Sequence, residues 1–170
     1  MELKEALLKR RSVRKYKDIP VTDEQIDELL HAAMSGPSAC NKTPWEFYVV
    51  KNGPKLDKVK KASLFSRFNS PLCIVVAGNT TRALPAPLTD YWIQDCSAAI
   101  ENILLRAVDL GLGTVWCGAY PQKRVEDNLG EALGMPEEHI PLGIIHVGYP
   151  DEDPEPRDQY DSERVHLYNE

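Results

Sequence analysis

Residues 9–17, KRRSVRKYK, place six cations in nine positions of a chain that is otherwise acidic. Guanidinium groups donate paired hydrogen bonds to phosphate oxygens, and a hydroxyl between them adds one more. Arg10, Arg11, Ser12 and Arg14 therefore suit a phosphomonoester. The alternative is a solvated basic helix end whose cations complement the helix dipole. A charged phosphate contact contributes about 1.5–3 kcal/mol, whereas micromolar binding needs about 8, so a ligand held here must bury its flat or apolar part elsewhere. Two irregular segments could receive it. Residues 36–45, GPSACNKTPW, form a loop of small and polar residues rich in backbone donors, which reads equally as an ordinary connection. Residues 111–121, GLGTVWCGAYP, end a strand in small residues, where backbone N–H groups can approach a cofactor ring.

Other chemistries are disfavoured. The cysteines at 40, 73, 96 and 117 form no CxxC pair for zinc or thiol redox work and read as buried free thiols. The histidines at 31, 139, 146 and 166 form no HExxH pattern, so no metal site is expected. No GxGxxG follows a strand, and no P-loop or GxSxG is present, so a dinucleotide resident on a Rossmann fold is not expected. Twenty basic against 26 acidic residues give a net charge of −6, the wrong sign for a general nucleic-acid binder.

The elements that must position these segments follow from periodicity. With 170 residues, 42% of them hydrophobic, the chain suits one compact domain. A short amphipathic helix is predicted over residues 3–10. A second starts at the capping box of Thr22 and Gln25, carries Ile26, Leu29, Leu30, Ala33 and Met34 at helical spacing, and stops at Gly36 and Pro37. Strands are expected over residues 45–51, 72–78, 114–117 and 142–148, and helices over 55–62, 89–110 and 125–133, with Gly111 and Gly134 as C-terminal caps and Thr89 as an N-cap. The 89–110 helix is apolar nearly all round, which predicts a partner subunit along it in a two-fold homodimer. Residues 1–150 form the core. Residues 151–170, rich in proline and acid, cannot fold alone and read as an arm whose Val165, Leu167 and Tyr168 dock on a neighbouring surface. The longest apolar run, residues 72–77, is far below the ~18 of a membrane-spanning helix, and residues 1–11 lack a signal-peptide apolar stretch, so a cytoplasmic protein is expected.

Taken together, RRSVRKY, GPSACNKTPWEFYVV, IQDCSAAIENILLRAVDLGLGTVWCGAY and the terminal GYP, PRD and VH resemble the FMN-dependent nitroreductase family in order and spacing along essentially the whole chain. The resemblance implies an α+β fold with a mostly antiparallel sheet flanked by helices. It further implies a homodimer with FMN at the interface and a C-terminal arm crossing to the partner. Carried over by position, Arg10, Arg11, Ser12, Arg14 and Arg157 would hold the phosphate and ribityl chain. Pro37, Ser38, Ala39 and Asn41 would contact the flavin from the other subunit, and Gly118 and Ala119 would offer N–H groups near its N5 and O4. Gln94, Tyr91 and Trp92 are weaker candidates for the pocket wall. Thr43 stands where the family has Gln, and Glu155 where a basic residue is often found. Residues 79–88 leave little chain for a helical lid, which implies a more open site. The implied activity is ping-pong transfer of two electrons from NADH or NADPH, through FMN, to a small oxidised acceptor such as a nitroaromatic or quinone, with no dedicated catalytic acid or base. The alternatives are reductive dehalogenation or flavin breakdown at the same site, or flavin storage or sensing without turnover. No nucleic-acid or membrane partner is expected.

Overall fold

Alternation of side chains along four strands decides the architecture. In the computed structural model, which describes residues 1–168, β1 (Trp45–Lys51), β2 (Leu72–Asn79), β3 (Gly113–Gly118) and β4 (His139–Gly148) form one antiparallel sheet in the order β1-β2-β4-β3. Leu72, Ile74 and Val76 on β2 face one core, while Cys73 and Val75 face another, as a period of two requires. The first core is closed by α2 (Asp23–Met34) and α4 (Tyr91–Asp109), with α1 (Leu3–Lys9) beside α4. The second is closed by α3 (Gly53–Lys61) and α5 (Lys123–Leu133). The result is the expected α+β fold with an antiparallel sheet flanked by helices.

Local signals account for most boundaries. Thr22 and Gln25 form the reciprocal capping box, and Gly134 closes α5 in the left-handed region at φ 65°. Four starts differ from expectation by two residues or more, one of them that of α5 at Lys123 rather than Val125. Helix α3 starts at Gly53 rather than Lys55, because Pro54 fits the first turn, where its missing N–H costs nothing. Helix α4 starts at Tyr91, with Asp90 rather than Thr89 at the N-cap and no side-chain cap bond. Strand β4 starts at His139 because a register shift at Val76/Ala77 accommodates Pro141 within the ladder.

The long helix is covered better than its composition predicts. Of its 19 residues only Tyr91 and Gln94 are exposed, since α2, α1 and the sheet reach round it. Exposed apolar side chains lie instead on α1, at Leu3 and Leu7, in the 62–71 loop, at Leu64 and Phe65, and in the arm. Its first part is zipped onto the basic segment of its own chain: Lys17 and Asp151 donate backbone N–H groups to Tyr149 and Lys15, and the Arg157 N–H donates to Leu8. Beyond that point Tyr160, Leu167 and Tyr168 are 76–89% exposed. No helix among the described residues is long and apolar enough to cross a membrane.

Candidate functional site

The basic segment is placed by the sheet. After α1 ends, Ser12 bridges Thr114 in parallel, and the Val13 N–H donates to the Thr114 carbonyl at 2.9 Å. Val13 is buried so closely against Gly113 that a Cβ there would lie inside 3.0 Å of three of its side-chain carbons. Glu152 then fixes the turn of the chain, accepting the N–H groups of Arg14 at 2.5 Å and Lys15 at 3.2 Å. The Arg14 bond holds its carboxyl below the ordinary value.

These contacts separate the arginines. Arg10 faces Glu101 of α4 at 3.6 Å. Arg11 donates to the Glu155 carbonyl and lines a cavity on the arm side with Lys9, Pro154 and Pro156. The Arg14 guanidinium, whose one hydrogen bond among the described residues is to the Ser12 carbonyl at 3.5 Å, lines a different cavity of about 540 Å³ with Gly118. Arg11 and Arg14 are therefore not brought together, because successive side chains of an extended segment alternate in direction. Arg157 is exposed beside α1.

The Arg14 cavity is walled by Phe65, Phe68, Val115, Trp116 and Cys117 and carries a second cation, Arg67, with no acid among its lining residues. Its size suits a small organic ligand, and its charge suits an anionic one. A Cβ added at Gly118 would meet nothing within 4 Å, so the end of β3 opens onto free space. Ala119 is buried and its N–H already donates to the Leu142 carbonyl at 2.9 Å, so that atom is not free for a ligand. Trp116 lies across Gly143, where a Cβ would collide with the indole. None of Pro37, Ser38, Ala39 and Asn41 lines this cavity in the same chain. They form the α2–β1 loop, and Ala39 is bonded to Asp95 of α4.

The wall containing Phe65, Arg67 and Phe68 was missed in the sequence because residues 62–71 carry no periodicity. The only available signal was the alternation of aromatics and a cation in SLFSRFNS. It is held from beneath by His146, which is fully buried on β4: Ser66 Oγ lies 2.7 Å from Nε2 and Ser70 Oγ 2.8 Å from Nδ1. Asn69 pairs with both backbone groups of Tyr16, and Cys117 Sγ donates to the Phe65 carbonyl. Burial pushes His146 from its ordinary 6.5 down to about 4. Between these values the unfolded chain binds the proton and the folded chain does not, so stability is complete above pH 7 and falls as pH drops from 6.5 to 4, by about 3 kcal/mol in all. Thermal melts from pH 7 to 4 should show this loss in the wild type and a shallower one in His146→Gln. Parallel curves would refute it.

Comparison with known proteins places the chain in a family. The family model described as nitroreductase family matches residues 7–66 and 60–149. The chain belongs to the nitroreductase family. It is 41% identical over 169 residues to a Methanothermobacter thermautotrophicus protein provisionally named NADH dehydrogenase/NAD(P)H nitroreductase, covering 98% of this chain and 87% of that one. An FMN-dependent nitroreductase from Clostridium difficile superposes with a TM-score of 0.87 at 33% identity, over 96% of this chain and 98% of that one. NADPH:FMN oxidoreductase from Vibrio harveyi, solved with NAD+, gives 0.86 at 25% identity, over 99% of this nitroreductase-family chain and 78% of its own.

Proposed function

We propose that the protein is an FMN-dependent NAD(P)H oxidoreductase that passes two electrons to a nitroaromatic, quinone or similar small acceptor. The observation that carries this reading is the Arg14 and Gly118 cavity, a two-cation, aromatic-walled pocket in a chain of this family. FMN, when bound, supplies the hydride chemistry between nicotinamide and acceptor. The donors fit it. Arg14 and Arg67 set positive potential where a reduced ring or a phosphate would bring negative charge, and Gly118 leaves the end of β3 open to a flat ligand. Of the other residues assigned to the phosphate, Arg10 faces Glu101 and Arg11 bonds the Glu155 carbonyl, and neither they nor Ser12 and Arg157 line this cavity. No residue is assigned as a catalytic acid or base.

The site is completed by a second copy of the chain in a homodimer. Pro37, Ser38, Ala39 and Asn41 sit on a loop outside the cavity of their own chain, which suits delivery to the partner's flavin. The arm, residues 151–170 attached to the 1–150 core, ends in exposed Leu167 and Tyr168, which a partner surface would bury. Residues 169 and 170 lie outside the described structure.

An anaerobic titration tests this. Protein reconstituted with FMN should bleach on adding one equivalent of NADH or NADPH per flavin and recover its colour on adding an acceptor. Flavin that stays yellow supports storage or sensing instead, and protein that takes up no FMN overturns the assignment.

A further inference from the structure

The loop that carries Pro37, Ser38, Ala39 and Asn41 is conformationally expensive. Cys40, Asn41 and Thr43 all have left-handed φ, at 49°, 53° and 46°, and none is glycine. Asparagine tolerates this region, but a β-branched residue such as Thr43 rarely enters it, and each such residue costs on the order of 1–3 kcal/mol. Part of the loop is self-supporting: the Thr43 N–H donates to Ser38 Oγ at 2.9 Å and the Asn41 N–H to the Ser38 carbonyl at 3.0 Å. Its far end is tied to the sheet, where the Asn79 N–H donates to the Pro44 carbonyl at 2.7 Å. Its near end is tied to α4 by Asp95, whose Oδ1 accepts the Ala39 N–H at 2.8 Å.

Asp95 is unusual on its helix. The other carboxylates of α4 each face a cation, Glu101 that of Arg10 and Asp109 those of Arg106 and the N-terminus. Asp95 is only 6% exposed, and among the described residues it has no ion-pair partner. A buried carboxylate costs several kcal/mol unless it is compensated, and Asn would reach Ala39 equally well without a charge to desolvate. What the charge adds is acceptor strength, about 1.5–3 kcal/mol for an ionised group against about 1 for a neutral one. Stability alone would select the amide, so the carboxylate points to a demand for loop rigidity.

We propose that Asp95 is a positioning residue: by accepting the Ala39 N–H, its buried carboxylate holds the Ser38–Thr43 loop in the left-handed conformation that meets FMN across the dimer seam. The inference rests on the two-chain site described above. It concerns a residue outside the lining of the Arg14 cavity of its own chain.

The test uses the full-length holoenzyme. Asp95→Ala should raise the FMN dissociation constant tenfold or more, with the apo-protein melting within about 3 °C of wild type, because losing the loop bond is offset by losing a buried charge. Asp95→Asn, which keeps the oxygen, should fall between the two. Dimers of one Asp95→Ala chain and one Arg14→Ala chain, isolated with two different affinity tags, should then regain one tight FMN site of the two. One pocket in such a dimer combines an intact Arg14 with an intact loop, and the other combines both defects. Wild-type affinity in Asp95→Ala overturns the proposal. A weak Asp95→Ala with no recovery in the mixed dimer overturns its action across the seam. Wild-type protein that is monomeric or fails to bind FMN overturns the two-chain reading beneath it, an outcome visible before any variant is made.

Discussion

Arg14→Ala is expected to weaken FMN binding about ten- to a hundredfold while leaving the fold and the dimer intact. The size follows from losing one charged hydrogen bond at about 1.5–3 kcal/mol, with each 1.4 kcal/mol a factor of ten. The selectivity follows from geometry. Glu152 grips the backbone N–H of residue 14, not its side chain, so the alanine variant keeps the turn that shapes this cavity wall. Among the described residues the guanidinium makes one long hydrogen bond, to the Ser12 carbonyl, so its removal costs the folded chain little. Arg14→Lys should retain part of the affinity, because an ammonium keeps the charge but not the planar fork. Flavin fluorescence quenching over a series of salt concentrations gives the dissociation constant and, in its slope, the number of charges engaged. The same constant in wild type and Arg14→Ala would place the cofactor anion elsewhere. Arg11→Ala is the informative contrast: its side chain bonds the Glu155 carbonyl of the arm, so its effect should appear first in the docking of residues 150–157.

That contrast shows what sequence could and could not convey. RRSVR announces a basic segment, but which guanidinium enters which cavity depends on strand alternation beside Thr114 and on where the arm crosses. Neither is written locally. The four strands and five helices were legible because their apolar spacing and caps are short-range signals, as with Thr22 and Gln25 or Gly134. The apolar helix Tyr91–Asp109 pointed to a partner because hydrophobicity counts what must be covered and cannot say how much of it α1, α2 and the sheet already cover. Phe65, Arg67 and Phe68 were invisible for the opposite reason. They sit in an aperiodic loop whose position is set by His146, Asn69 and Cys117, contacts that reach 52 to 80 residues along the chain. Likewise DCSAA reads as helix, and only packing shows that Asp95 turns inward to Ala39.

The largest effect on stability is expected where a strand and this helix touch without space between them. Gly78 pairs with Trp45 across β1–β2, and a Cβ at position 78 would lie within 3.0 Å of three ring carbons of Trp92. Trp92 cannot retreat: it is 2% exposed and meets Tyr120 edge-on at 5.2 Å. Gly78→Ala should therefore cost about 1–3 kcal/mol and Gly78→Val more, while Trp92→Ala, which empties the same space, should cost about 3–5. At this chain length each kcal/mol lowers Tm by about 2–4 °C, well within reach of a calorimeter. If collision is the cause, the penalties must not add. Gly78→Ala in a Trp92→Leu background should cost little, giving a coupling of more than about 1 kcal/mol in a double-mutant cycle, and strict additivity would assign the cost to the backbone of residue 78 instead. The same cycle bears on function, because Trp92 and Asp95 lie three residues apart, both buried, on the first turns of α4. A ring pushed off Gly78 must shift that end of the helix and, through the Asp95 bond, the loop bearing Ser38 and Asn41. Among variants at position 78, FMN affinity should accordingly fall in step with Tm, whereas destabilising substitutions on the α3–α5 face should lower Tm without moving it.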